Sequence, residues 1–138
     1  EALAAGDLDA AVEANVRTWV VGVGREAGDV GADVAASVRD MQRRAFVVTA
    51  GWDDLEEVEL DPPASERLAD LHQPVLLVVG GHDLDTTRLA AARIEATAPD
   101  VRRVDVPGAA HLPSMEDPDA FLDLVLGWVA EHDGAGRR

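Results

Sequence analysis

Cysteine is absent from this 138-residue chain. That absence removes disulfide frameworks, thiolate zinc sites and cysteine nucleophiles together. It also fits a reducing compartment, so a cytoplasmic location is expected. Lysine is missing too: all 12 basic residues are arginine, set against 27 acidic ones, for a net charge of −15. A surface that acidic argues against nucleic acid and anionic membranes as partners, because both are polyanions. No apolar run approaches the ~20 residues of a membrane-spanning helix. The opening Glu1-Ala2-Leu3 has no basic-then-apolar signal pattern. There is no internal repeat and no low-complexity tract. What remains is 47% hydrophobic and 28% charged, the balance of one globular domain.

The chain divides by character into residues 1–50, a connector at 51–73, and residues 74–138. In the first part, Leu8, Val12, Val16, Trp19 and Val20 share one helical face, predicting a helix over Asp7–Val21. Asp7 is its expected N-cap. Glu13 and Arg17 are placed for an i,i+4 ion pair, and Gly22 and Gly24 suit a left-handed C-terminal cap. A second helix is expected from Asp33, with Val34, Val38, Met41 and Ala45 at helical spacing. Two such helices read as a lid or cap on something larger. The acidic stretch Asp53, Asp54, Glu56, Glu57, Glu59 and Asp61 reads as a solvated linker, since nothing in its spacing makes the oxygens converge on a divalent cation.

The third part alternates strand and helix. Pro74-Val-Leu-Leu-Val-Val79 is a continuous apolar run, the pattern of a strand buried on both faces in a parallel sheet. A helix over Thr86–Ala98, a strand over Val101–Val106 and a turn at Pro107–Ala110 are expected next. Asp117-Pro118 opens a last helix, as N-cap followed by proline in the first turn. Phe121, Leu122, Val125, Trp128 and Val129 are its expected buried stripe, and residues 133–138 a frayed tail.

Two polar residues stand where chemistry collects. Asp83 follows the first strand and His111 the second, and open α/β sheets bind ligands outside the carboxyl ends of their strands. Neighbouring strands lie ~4.8 Å apart, so residues leaving adjacent ends can meet. An aspartate accepting from one imidazole nitrogen leaves the other as a base. Against this, Asp83 alone could be a helix cap, though Asp85 before Thr86-Thr87 is the better placed one, and His111 alone could be a surface turn residue. His72, His82 and Asp85 match no recognised metal-ligand spacing, so no metal is expected. Trp19 and Met41 are candidates for lining a substrate pocket. Trp19, Trp52 and Trp128 read most simply as core or cap-interface residues.

The run Pro74-Val-Leu-Leu-Val-Val-Gly-Gly-His-Asp83, followed by Val104-Asp-Val-Pro-Gly-Ala-Ala-His-Leu-Pro-Ser-Met-Glu-Asp-Pro118 and Phe121, resembles the C-terminal part of an α/β-hydrolase. In that family the acid follows the penultimate strand as Gly-x-x-Asp. The histidine follows the last strand in a Gly-x-Gly-His turn, and Glu-x-Pro-x-x-Phe opens the final helix. Here Glu116-Asp-Pro-Asp-Ala-Phe121 matches that opening, while Ala110 replaces the glycine before histidine. The resemblance covers about residues 66 to 131, and residues 1–50 resemble the helical cap many members insert. It implies the C-terminal portion of a three-layer α/β sandwich, a helical cap segment plus β-α-β-α. It also implies Asp83 as triad acid, His111 as base, no cofactor, and a small-molecule ester, lactone or similar acyl substrate.

The departure is a missing nucleophile. The family carries it in a Gly-x-Ser-x-Gly elbow before the acid and histidine. No such motif occurs here, and Ser37, Ser65 and Ser114 all stand in other contexts. An aspartate nucleophile would sit on the same elbow. The expectation is therefore the C-terminal half of a longer hydrolase, with the elbow upstream of Glu1. Two strands do not make an independently stable sheet, so the chain should pair with its missing half or self-associate. The other reading is a catalytically inactive truncated hydrolase that serves as an interaction or structural module.

Overall fold

The structure, a computed structural model, describes residues 3, 6–52, 58 and 60–133. Asp7 caps the first helix as its sequence position requires, its carboxylate accepting from Ala10 N–H at 2.9 Å. Helix α1 runs Leu8–Val16 and passes into a wider π-turn at Arg17–Val21, closed by Gly22 at φ +76°. A short 3-10 turn at Ala27–Asp29 leads to α2, Ala32–Thr49. Glu13 does not pair with Arg17. It takes Arg39 on α2 at 2.5 Å instead, because packing the two helices brings a cross-helix partner within reach.

The apolar stripe on α1 does what its period predicts. Val16, Val20 and Val21 close on Val30 and Val38 in a cluster of five buried valines. Burying one such side chain is worth roughly 1.5–2 kcal/mol. Leu112 and Met115, from the segment after His111, pack onto the same cluster. The helical pair is thus joined to the histidine-bearing segment by a shared core.

After two 3-10 turns, β1 (Val75–Gly80), α3 (Asp85–Thr97) and β2 (Val101–Val106) form one crossover. The strands pair in parallel, Val75 against Val101 through Gly80 against Val106. A one-turn helix α4 (Pro113–Glu116) and then α5 (Pro118–His132) complete the order. Asp117 caps α5 by accepting from Ala120 N–H at 3.1 Å.

Several expectations need correction. β1 is not buried along both faces: Val75 to Val78 are half-buried, and among the described residues its only partner is β2. The stripe on α5 is not buried either. Leu122 and Val129 are exposed, and Phe121, Val125 and Trp128 reach only half-burial. Both results have one cause, a two-stranded sheet too narrow to cover the layers beside it. Trp52 is exposed rather than in a core or interface. α4 has no apolar period to announce it. Residues 53–57 and 59 of the acidic stretch, and 134–138 of the tail, lie outside the described residues. No helix among the described residues is long and apolar enough to cross a membrane.

Candidate active site

Asp83 leaves the end of β1 through a turn in which its N–H reaches Gly80 O at 3.3 Å. Its side chain is only 4% exposed, so its carboxylate needs partners. One oxygen accepts from Leu84 N–H at 2.7 Å. The other lies 2.8 Å from His111 Nδ1. A carboxylate only accepts, so Nδ1 carries the proton and donates it. Nε2 makes no hydrogen bond among the described residues. Asp85 is not the helix cap. It sits inside the first turn of α3, and Leu84 holds the cap position without a side-chain bond. Asp83 meets the N–H of Leu84, the residue just before the helix, and not an N–H of the first turn, so it does not act as the helix cap either.

His111 is placed by three segments that converge on the rim. Its own N–H donates to Trp19 O at 3.1 Å, and its ring lies 4.7 Å from the Trp19 ring, centroid to centroid. His82 N–H donates to Ala109 O at 2.9 Å, and Gly81 N–H to Val106 O at 2.9 Å. His82 also meets the loop after the π-turn twice, accepting from Val23 N–H at 2.7 Å and donating from Nδ1 to Val23 O at 2.8 Å. Those bonds tie the half-buried His82 to the loop after the π-turn.

The approach is close enough to require glycine. A Cβ on Gly80 would stand 1.8 Å from Ala110 O, and one on Gly22 would stand 2.3 Å from His82 O. Ala110, where the resembling pattern has glycine, is fully buried in this junction.

Beside His111 opens a cleft of about 400 Å³ between α1 and α2. Trp19, Val38, Met41 and Leu112 supply apolar wall, and Asn15, Gln42 and His111 are its polar positions. No side chain lining it carries a fixed charge. Trp19 and Met41 thus stand in the cleft beside the histidine. Along the helical face of Val34, Val38, Met41 and Ala45, Val34 packs on the core, Val38 belongs to both core and cleft wall, and Met41 and Ala45 line the cleft.

Other candidates do not converge. No cluster of three metal-ligating side chains exists among the described residues, so His72, His82 and Asp85 are not gathered. Ser37, Ser65 and Ser114 are exposed, and none bonds to His111. Asn15 and Gln42 were not legible as cleft residues. Arg25 and the full role of Glu116 were missed as well, because their partners are distant in sequence.

No protein-family model matches the chain. The pimeloyl-(acyl-carrier protein) methyl ester esterase of Pectobacterium atrosepticum is 35% identical over 83 residues, covering 60% of this chain and 31% of that protein. The enzyme of the same name from Yersinia enterocolitica is 34% identical over 85 residues, covering 62% and 31%. Over about 60% of its length this chain is thus similar to esterases of the α/β-hydrolase family. It spans about a third of the length of the curated relatives it matches. In fold it is similar to a serine hydrolase involved in carbazole degradation (CarC enzyme), with a TM-score of 0.56 at 18% identity, over 89% of this chain and 47% of that one. The partial coverage agrees with part of an α/β-hydrolase fold, two parallel strands with their helices.

Proposed function

We propose that this chain supplies the acid and base of an esterase-type hydrolase whose nucleophile lies outside these 138 residues. The observation that carries the reading is the 2.8 Å bond from His111 Nδ1 to the buried Asp83 carboxylate, at the carboxyl ends of adjacent parallel strands. In this role Asp83 fixes the tautomer and steadies the imidazolium that forms. His111 takes the proton of the nucleophile through Nε2 as that group attacks the acyl carbon. It then returns the proton to the departing alcohol oxygen. Water, deprotonated by the same nitrogen, releases the acid.

The cleft supports an uncharged acyl substrate. Its walls offer apolar surface and amide groups but no cation to hold a carboxylate or phosphate. The net charge of −15 also disfavours anions. The α1–α2 pair is then the cap over the acyl group, with Trp19 and Met41 as substrate-contacting residues. The remaining strands, with the nucleophile and oxyanion donors, add at the open edge of β1.

The test is hydrolysis of a p-nitrophenyl ester by the longer product of the same reading frame. A Gly-x-Ser-x-Gly elbow upstream and turnover abolished by His111→Ala are expected. The 138-residue chain alone should show none. An upstream frame with no elbow, or turnover that survives His111→Ala, overturns the reading.

A further inference from the structure

A buried ion pair lies behind the histidine turn, away from the Asp83 carboxylate. The side chains of Arg25 and Glu116 are 7% and 11% exposed, and Arg25 Nη1 meets Glu116 Oε2 at 2.7 Å. Arg25 uses the rest of its fork on backbone carbonyls. Nε donates to Val21 O at 2.7 Å, Nη2 to Val20 O at 2.6 Å, and Nη1 also to Gly108 O at 2.7 Å. Glu116 Oε1 accepts from Ala110 N–H at 2.7 Å.

We propose that Arg25 and Glu116 are positioning residues, which set the Asp83–His111 geometry by clamping the histidine turn to the end of the first helical segment. Val20 and Val21 end a helix, where carbonyls lack intrahelical partners, and a cation is favoured there. A helix C-cap alone needs no carboxylate. Glu116 is what extends the contact to the turn, and the two residues are 91 positions apart. Together they grip Gly108 O and Ala110 N–H, on either side of Ala109. Ala109 O is held from the opposite side by His82 N–H, next to Asp83. The residue after this doubly held stretch is His111. Its place relative to Asp83 therefore depends on a planar fork that lysine cannot copy.

The clamp matters for catalysis only under the hydrolase reading, so its test reads geometry rather than turnover. Ring ¹⁵N shifts of His111 are recorded in the 138-residue chain at alkaline pH, well above the ordinary imidazole value. The exposed His72 is the reference within the same spectrum. In the unaltered chain, His111 should give a protonated Nδ1 and an unprotonated Nε2. Arg25→Met should move both shifts toward the averaged values of His72, and Arg25→Lys should move them part of the way. Glu116→Gln should act like Arg25→Lys, since its amide oxygen keeps Ala110 N–H while its NH₂ opposes the guanidinium. Val12→Ala, a buried change in α1, controls for general loosening and should lower the melting temperature without moving the His111 shifts. If Arg25→Met does not fold, the Lys and Gln variants decide by the same criterion. Unchanged His111 shifts in folded clamp variants, or an equal change in Val12→Ala, would overturn the proposal. Failure of the hydrolase reading shows itself separately, as absent ester turnover with the clamp effect intact.

Discussion

The rim that carries Asp83 and His111 and the outer side of the same α/β unit are built to different degrees of completion. At the rim, Val79, Asp83, Ala109 and Ala110 are all at most 4% exposed, and three chain segments touch through glycines that admit no side chain. On the outer side, Leu122, Leu126 and Val129 of α5 are 53%, 56% and 39% exposed. They recur at i, i+4 and i+7, a single face. Phe121 and Leu124, on another face of α5, line an open groove with Val104 and Val106 of β2. A helix apolar on both sides belongs inside a protein. The lesson is that, among the described residues, the packing between the Asp83 and His111 turns is closed, while the apolar face of α5 is left exposed.

Changes at the rim should therefore act strongly, beginning with the acid. Asp83→Asn keeps an oxygen for Leu84 N–H and nearly the same volume, so the chain should fold. The amide no longer forces the proton onto Nδ1. Under the proposed function, in a longer product that carries the elbow, kcat for a p-nitrophenyl ester should fall on the order of 10⁴-fold. A loss of less than tenfold would mean that the acid is another residue.

Two glycines sharpen the contrast in stability. A methyl on Gly80 meets Ala110 O and C at 1.8 and 2.6 Å, backbone atoms with nowhere to retreat. Gly80→Ala should cost about 3 kcal/mol or more in urea unfolding. Gly127 lies within α5 with nothing inside 4 Å of a built Cβ. Gly127→Ala should instead stabilise by about 0.5–1 kcal/mol, the helix-propensity difference. Equal effects from the two would erase the distinction between rim and outer side.

The rim was legible in the sequence because each catalytic candidate ends an element with a strong local signal. The apolar run to Val79 and the shorter strand to Val106 placed Asp83 and His111 at matching ends, and the motif resemblance paired them. Asp7 and Asp117 were legible as caps for the same local reason. What escaped depends on partners distant in sequence. Arg25 stands in a glycine-rich loop with no period, and its partners Gly108 and Glu116 come from the other end of the chain. The choice of Arg39 over Arg17 by Glu13 also required the helix pair to be packed. The stripe on α5 misled for a different reason. Its apolar pattern predicts a buried face, but among the described residues that face stays exposed.

The outer side should tolerate polarity. Leu122→Gln together with Leu126→Gln should change the chain's free energy of unfolding in urea by no more than about 0.5 kcal/mol. If copies of the chain associate in sedimentation velocity, the same pair should reduce that association, since an exposed apolar face is a surface through which copies can pack. A large loss of stability would show that this face is already covered, against the reading of an incomplete layer.

The smallest effect concerns the exposed counterpart of the buried clamp. Glu13 and Arg39 meet at the surface, their side chains 58% and 40% exposed. The hydrogen bond from Arg39 holds the Glu13 carboxyl below its ordinary value, opposed first by desolvation, helped by the charges of Arg39 and Arg43, and opposed last by Asp9. A carboxyl lowered in the folded state stabilises above its unfolded value, and that contribution disappears as pH falls through the folded value. Solvent screening limits it to about 0.5 kcal/mol at most. Glu13→Gln should thus remove a small part of the stability at neutral pH and flatten the acid limb of the stability curve below the usual glutamate range. Raising the salt concentration should shrink the difference further. Glu116→Gln, at a pair shielded from solvent, should keep its cost in salt. If both variants responded to salt alike, burial would not be what separates the clamp from an ordinary surface pair.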